Sequence, residues 1–189
     1  MTFTAPAIPY GMRDIKITGY TTGETLGSTS TDLPNAQTMT WTESEDTDTL
    51  RGDDQVVVTR GQGIAVAWEM DSGGFQFDVV KLMFGHTLSD SGTTPAQKRV
   101  LRRKTDDQRP YFQAEGQSIS ESGGDFHGIL YKCKTSGDFQ HQLQDQSFLI
   151  YNPSGDAFGL AADRGAGATL IPARTIYDVV QNETAVPIP

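Results

Sequence analysis

A single cysteine, Cys133, stands among the 189 residues of the chain. That excludes an intrachain disulfide framework and any multi-cysteine zinc site, and it is compatible with a reducing interior. Its flanks, YKCKT, read as a strand, so a core thiol is expected, although two lysines beside it offer a route to a lowered pKa. Histidine is nearly as scarce: His86, His127 and His141 are far apart, and none stands in a metal-ligand spacing such as HxxxH. Bases are outnumbered, 15 Lys and Arg against 24 Asp and Glu, for a net charge of −9. This argues against a general nucleic-acid binder, which gains affinity by neutralising phosphates. It does not exclude a surface that nucleic acid passes without sticking. No window approaches the roughly 20 apolar residues of a membrane span. The opening MTFTAPAIPYGMRD lacks the basic start and sustained apolar core of a secretory leader, so none is expected. Also missing are GxSxG, a GxGxxG opening a helix after a strand, and a phosphate loop. No catalytic, metal-ligating or cofactor-binding residue is therefore assigned, no cofactor is expected, and the expectation is a protein that is not an enzyme.

What is present fits strands and turns. The length suits one domain with an arm or tail, and 36% hydrophobic residues with 20 glycines suit a β protein better than a compact enzyme. Residues 1–11, with Pro6 and Pro9, read as an extended arm. From Met12, Ile15 and Ile17 alternate with Asp14, Lys16 and Thr18 as in a half-buried strand. Residues 21–37 read as a long polar loop. Residues 38–50 alternate, with Met39, Trp41, Glu43 and Glu45 on one parity. Val56 to Thr59 and then Ile64, Val66, Trp68 and Met70 read as two strands, with RGQG at 60–63 as the turn between them.

One helix is expected over residues 75–84, capped by Asp71 or Ser72 and stopped by Gly85. Phe75, Val79, Leu82 and Met83 share helical spacing as its packing face, and Phe77, Val80 and Phe84 make it apolar nearly all round, so it should be buried on more than one side. Residues 86–97 read as loop and KRVLRRK as a basic strand. RPYFQAEGQSIS, DFHGILYKCKT and QSFLIYNPS are further strands, and TLIPARTIYDVV supplies a last one within residues 163–189. Residues 12–162 thus form the main β domain, a mainly β sandwich or partial barrel with one flanking helix.

Asp53-Asp54, Asp106-Asp107 and Asp125 invite a metal or acid/base reading. Adjacent carboxylates on a strand point to opposite faces, so the expectation for all of them is a solvated turn or strand start. Arg51-Gly52-Asp53 and the sequon at Asn182 are short matches that chance supplies. Charge blocks say more: between Glu43 and Asp54 six acids accompany one base, whereas Lys98 to Lys104 holds five bases and no acid. Such blocks are solvated faces or complementary contact surfaces.

In the order LRGDDQVVVTRGQG, FDVVKLMFG, TTPAQ, PYFQAEGQ, GGDFHGILYKCK and SFLIYNPSGDAFGLA, covering about residues 50–162, the chain resembles the major tail tube proteins of long non-contractile-tailed phages, particularly those of actinobacterial hosts. The resemblance implies a subunit made in the host cytoplasm and built into the virion tail. Its strands would join a closed barrel in sixfold rings, which stack into a tube conducting DNA from capsid to host. The partners implied are further copies of the chain, a tape measure protein, a tail terminator and DNA passing without specific binding, with no membrane binding. On that reading Glu43, Glu45, Asp46, Asp48 and Asp53 are candidates for an acidic lumen that repels phosphates, and Lys98, Arg99, Arg102 and Arg103 for contacts between subunits or rings. The arm and tail would reach neighbouring rings. The alternatives are a capsid decoration protein or receptor-binding tail module using residues 21–37 and 86–97, and a carbohydrate-active β-sandwich using Trp41 or Trp68 beside convergent carboxylates.

Overall fold

The computed structural model describes residues 8–141 and 143–188. In chain order these form β1 (Pro9–Thr22), β2 (Thr25–Asp32), β3 (Ala36–Gly52), β4 (Gln55–Gly73), α1 (Phe77–Phe84), β5 (Thr87–Ser91), β6 (Lys98–Arg102), β7 (Phe112–Ser120), β8 (Asp125–Thr135), β9 (Ile150–Tyr151), β10 (Ser154–Ala157) and β11 (Tyr177–Asn182), with a 3-10 turn at Gly167–Thr169. Residues 1–7 of the expected arm lie outside the described residues. Its last residues are not arm: Pro9 and Tyr10 already pair with Ser120 and Ile119, and the register shifts between Tyr10 and Asp14.

The fold is mainly β. Nine strands share one antiparallel sheet in the order β2-β1-β7-β8-β10-β4-β3, with β11 also on β8 and β9 on β4, while β5 and β6 pair separately. The sheet curls strongly into a half-barrel. Alternation explains most of its inner face, with Ile15 and Ile17 on β1, Phe112 and Ala114 on β7, and Val66, Trp68 and Met70 on β4 buried. On β8 the buried Leu130 and Cys133 are three residues apart, and both reach it through a register shift opposite Phe112 and Ala114. The curl brings β3 across β7 and β8 at a glycine pair. Gly116 and Gly128 are register partners, and a Cβ on Gly128 would lie 2.5 Å from Trp41 Cη2, one on Gly116 2.7 Å from Met39 Sδ. Only hydrogen at these two positions admits the large side chains of β3.

Helix α1 closes the core, burying Val79, Val80, Met83 and Phe84, with Leu82 partly buried over Gly19. Of the expected packing face, Val79 and Met83 are buried and Leu82 partly so, and Val80 and Phe84 are buried beside them. Phe75 precedes the helix and joins an aromatic cluster with Phe77, Phe139, His141 and Tyr151. Gly85 ends the helix in the left-handed region at φ 76°. The expected cap is corrected: β4 continues to Gly73, so Ser72 is buried in the sheet, Asp71 accepts a bond from Thr38 Oγ1 at 2.7 Å, and Gln76 occupies the N-cap without a side-chain bond.

The turn expected at residues 60–63 is also corrected. β4 runs through it, and the hairpin reverses at Asp53 and Asp54, whose φ of 49° and 61° are the two left-handed centres that a two-residue I′ turn requires. The RGQG glycines instead form a bulge: Gln62 and Gly63 face the single residue Asp46, because Glu45 pairs with Ile64 and Thr47 with Gly61. The supposed loop 21–37 contains β2. Its threonines and serines have strand propensity, but as a polar edge strand it shows no apolar parity. Half of the loop 86–97 is β5, whereas the expected strand around QSFLIYNPS shrinks to Ile150–Tyr151.

Candidate functional site

The most unusual surface follows from the β3–β4 hairpin. Beyond Ala65, β4 pairs only with β3, since β10 stops at Val66 and β9 joins at residues 72–73. Residues 43–65 therefore leave the half-barrel as a two-stranded ribbon, exposed on both faces. At about 3.3 Å per residue its free length is roughly 35 Å. A lone ribbon is marginal in water, yet this one displays Leu50, Val56, Val57, Val58 and Ile64, each more than half exposed. Leu50 and Val58 are register partners beside Asp48 and Arg60. The register slips by one residue between Leu50 and Arg51, so Val56 pairs with Arg51 on the other face, while Val57, whose Cγ2 lies 3.3 Å from where a Cβ on Gly52 would stand, joins Leu50 and Val58.

All five acidic candidates lie on this ribbon and are exposed. Alternation divides them. Glu43 and Glu45 continue the parity of Met39 and Trp41, Asp46 sits at the bulge, Asp48 takes the opposite face, and Asp53 forms the tip. Glu43 accepts a hydrogen bond from Tyr177 Oη at 2.8 Å, which raises that phenol's pKa, and Trp41 packs on the same tyrosine. Trp68 is enclosed in the core, where its Nε1 donates to Asp156 O at 3.1 Å. It is not available to stack a sugar.

The basic strand β6 pairs with β5 beside α1. Arg99 donates from Nε and one terminal nitrogen to both oxygens of Asp90, at 2.9 and 3.0 Å, and from the other nitrogen to Asp78 at the start of α1, at 2.9 Å. The bidentate fork fixes the hairpin's direction, although at this exposure its net stabilisation is small. Arg103 donates to Phe84 O and to Asp107 O, closing the helix C-terminus. Two of the four contact candidates thus act within the chain. Lys98 and Arg102 are exposed and have no partner among the described residues.

The main run of the half-barrel sheet ends at β2 and β3, whose outer edges pair with no other strand among the described residues. Each offers unpaired main-chain donors and acceptors to another strand. A further exposed apolar pair, Leu143 and Phe148, at 86% and 95% exposure, lies in the loop before β9.

Sequence reasoning missed a polar cluster on the face of β7 and β8 opposite the core. Asp125, expected to be solvated, is fully buried. Its carboxylate accepts bonds from Gln117 Nε2, the Val186 amide and Asn182 Nδ2, at 2.6, 2.7 and 2.8 Å, and His127 Nε2 lies 2.9 Å from Oδ2. Burial alone would push this carboxyl up, but these donors outweigh it and hold the group at about 2. Glu115 approaches the other imidazole nitrogen at 3.1 Å; burial raises its pKa, opposed by His127 and Lys16. The missed signal is DFH opposite EGQ, since period two sets Asp125 and His127 on one face and antiparallel register adds Glu115 and Gln117.

The remaining groups divide between turns and core. Asp107 accepts from the Lys104 amide at 2.8 Å in a turn. His86 and His141 pack in the aromatic cluster around α1, away from His127. Cys133 is buried and burial pushes its thiol up, while Lys132 points to Glu24 instead. No helix among the described residues is long and apolar enough to cross a membrane. No protein-family model and no curated protein matches this chain.

Proposed function

We propose that this chain is a structural subunit that joins copies of itself into rings, and that the rings stack into the tube of a long non-contractile phage tail, through which DNA passes to the host. The observation that carries the reading is the ribbon of residues 43–65, with an aliphatic face exposed at Leu50, Val57 and Val58. A side-chain set of this kind gains little in a lone subunit, and its burial against another copy stabilises an assembly. Free edges at β2 and β3 add to this, because a heterologous edge-to-edge contact that closes by rotation gives a ring without leaving open strands. Sixfold closure, a tape measure protein and a tail terminator as partners, and residence in the virion come with the phage-tail reading. So does the absence of catalysis.

The acids of the ribbon supply a second element. With Glu43 and Glu45 toward the lumen, phosphates are repelled and DNA stays mobile, the opposite of a cationic binding groove. Light scattering over a dilution series tests the assembly. Growth to large, length-variable particles is expected on concentration. A monomer at every concentration removes the ring reading and leaves a capsid decoration or receptor-binding module. In assembled particles, Glu43→Lys with Glu45→Lys should permit tubes and impair DNA delivery; unimpaired delivery removes the lumen assignment.

A further inference from the structure

We infer that residues 183–188 are an acid-releasable strap, held across β7 and β8 by the ionised carboxylate of Asp125 and freed when that carboxylate takes up a proton. After β11 the chain returns over the sheet face opposite the core, which explains why residues 114–117 are buried in succession instead of alternately. Asp125 and Gln117 treat Val186 as a neighbouring strand would. The Val186 amide donates to Asp125 Oδ2 at 2.7 Å, and Gln117 Nε2 donates to Val186 O at 2.9 Å. Two residues on, Lys16 Nζ donates to Ile188 O at 2.8 Å, and the Ile188 side chain is 3% exposed.

The lock depends on charge because three of the four partners of Asp125, the side-chain amides of Gln117 and Asn182 and the Val186 main-chain amide, can only donate to it. Oδ2 takes Gln117, His127 and Val186, and Oδ1 takes Asn182. A protonated carboxyl must itself donate, and here its hydrogen would meet N–H groups already directed at it. Other titratable groups come from each neighbouring element. His127 on β8 faces Glu115 on β7. Lys16 on β1 acts against the raised pKa of Glu115 and donates to Ile188 O. Glu121 in the β7–β8 turn and Glu183 on the strap are exposed.

The sign follows from the depressed carboxyl. Closure is favoured in full well above the free Asp value and weakens as pH falls toward about 2. Against a released Asp titrating near 3.9, the opening constant should rise about eight-fold at pH 3 and approach about 80-fold at still lower pH.

Amide hydrogen exchange of the whole chain followed by nuclear resonance tests this, after correction for intrinsic exchange at each pH. Val186 and Ile188 should lose protection by about that factor between pH 6 and pH 3, while Leu130 in β8 keeps its own. Asp125→Asn, which turns an amide toward the same donors, should expose both residues at pH 7. Val186→Pro, which removes only the amide donor, should make Ile188 exchange independent of pH over this range. Unchanged Val186 protection from pH 6 to pH 3 with Leu130 still protected overturns the proposal. If Leu130 opens at pH 3 as well, or Asp125→Asn does not fold, the Val186→Pro comparison over the range where Leu130 stays protected decides: Ile188 exchange with the pH dependence of the parent chain overturns it.

Discussion

Replacing Val57 and Val58 together by aspartate separates the two roles a ribbon can have. Leu50, Val57 and Val58 remain 61%, 64% and 52% exposed. Covering the remaining half of each in an assembly is worth about 1 kcal/mol per side chain, so about 3 kcal/mol for the face. That is on the order of a hundred-fold in affinity per contact, and two new carboxylates must then also be desolvated. Within one subunit the change touches no core side chain. Lost strand propensity costs up to about 1 kcal/mol locally, and for a chain of this size that moves the melting temperature by about 2–4 °C. The assay pairs sedimentation velocity, which reads the concentration at which large species form, with a melting curve below that concentration. Assembly should move beyond reach while the monomer melts nearly as before. An unchanged assembly threshold refutes the reasoning, and so does a large fall in monomer melting, which would make the ribbon part of the subunit's own core.

Other consequences are local to the fold and the cluster. Gly128→Val places a branched side chain where Trp41 Cη2 lies 2.5 Å from a Cβ; it should cost about 1–3 kcal/mol, read as a lower denaturation midpoint. Asp54→Gly relieves a left-handed φ at the hairpin turn and should slow amide exchange along residues 47–60, whereas faster exchange would contradict the I′ turn. His127→Ala leaves two buried carboxylates without their shared donor and should cost about 3 kcal/mol by urea denaturation at neutral pH.

Much of the fold is legible where alternation or glycine marks it. Residues 125–135 read as the strand they form because a glycine pair precedes them and Phe126, Ile129, Leu130, Tyr131 and Cys133 supply strand-favouring bulk. Gly85 announces the helix end for the same local reason. β2 is not legible, since an edge strand with two half-wet faces needs no apolar parity. RGQG and Asp53-Asp54 exchange roles because glycine serves bulges and turns alike, while aspartate tolerates the left-handed region that a hairpin turn demands. The cluster around Asp125 depends on register. Nothing in the local sequence places Glu115, Asn182 and Val186 beside it, although the strand containing His127 was readable.

The central claim is that the subunit exists to build a tube, and electron microscopy of the purified protein at high concentration tests it most directly. Hollow tubes of uniform diameter and variable length are expected for the natural sequence, and none for the chain carrying Val57→Asp and Val58→Asp. Fields of single particles for the natural sequence, with no rings or tubes at any concentration, would contradict the account.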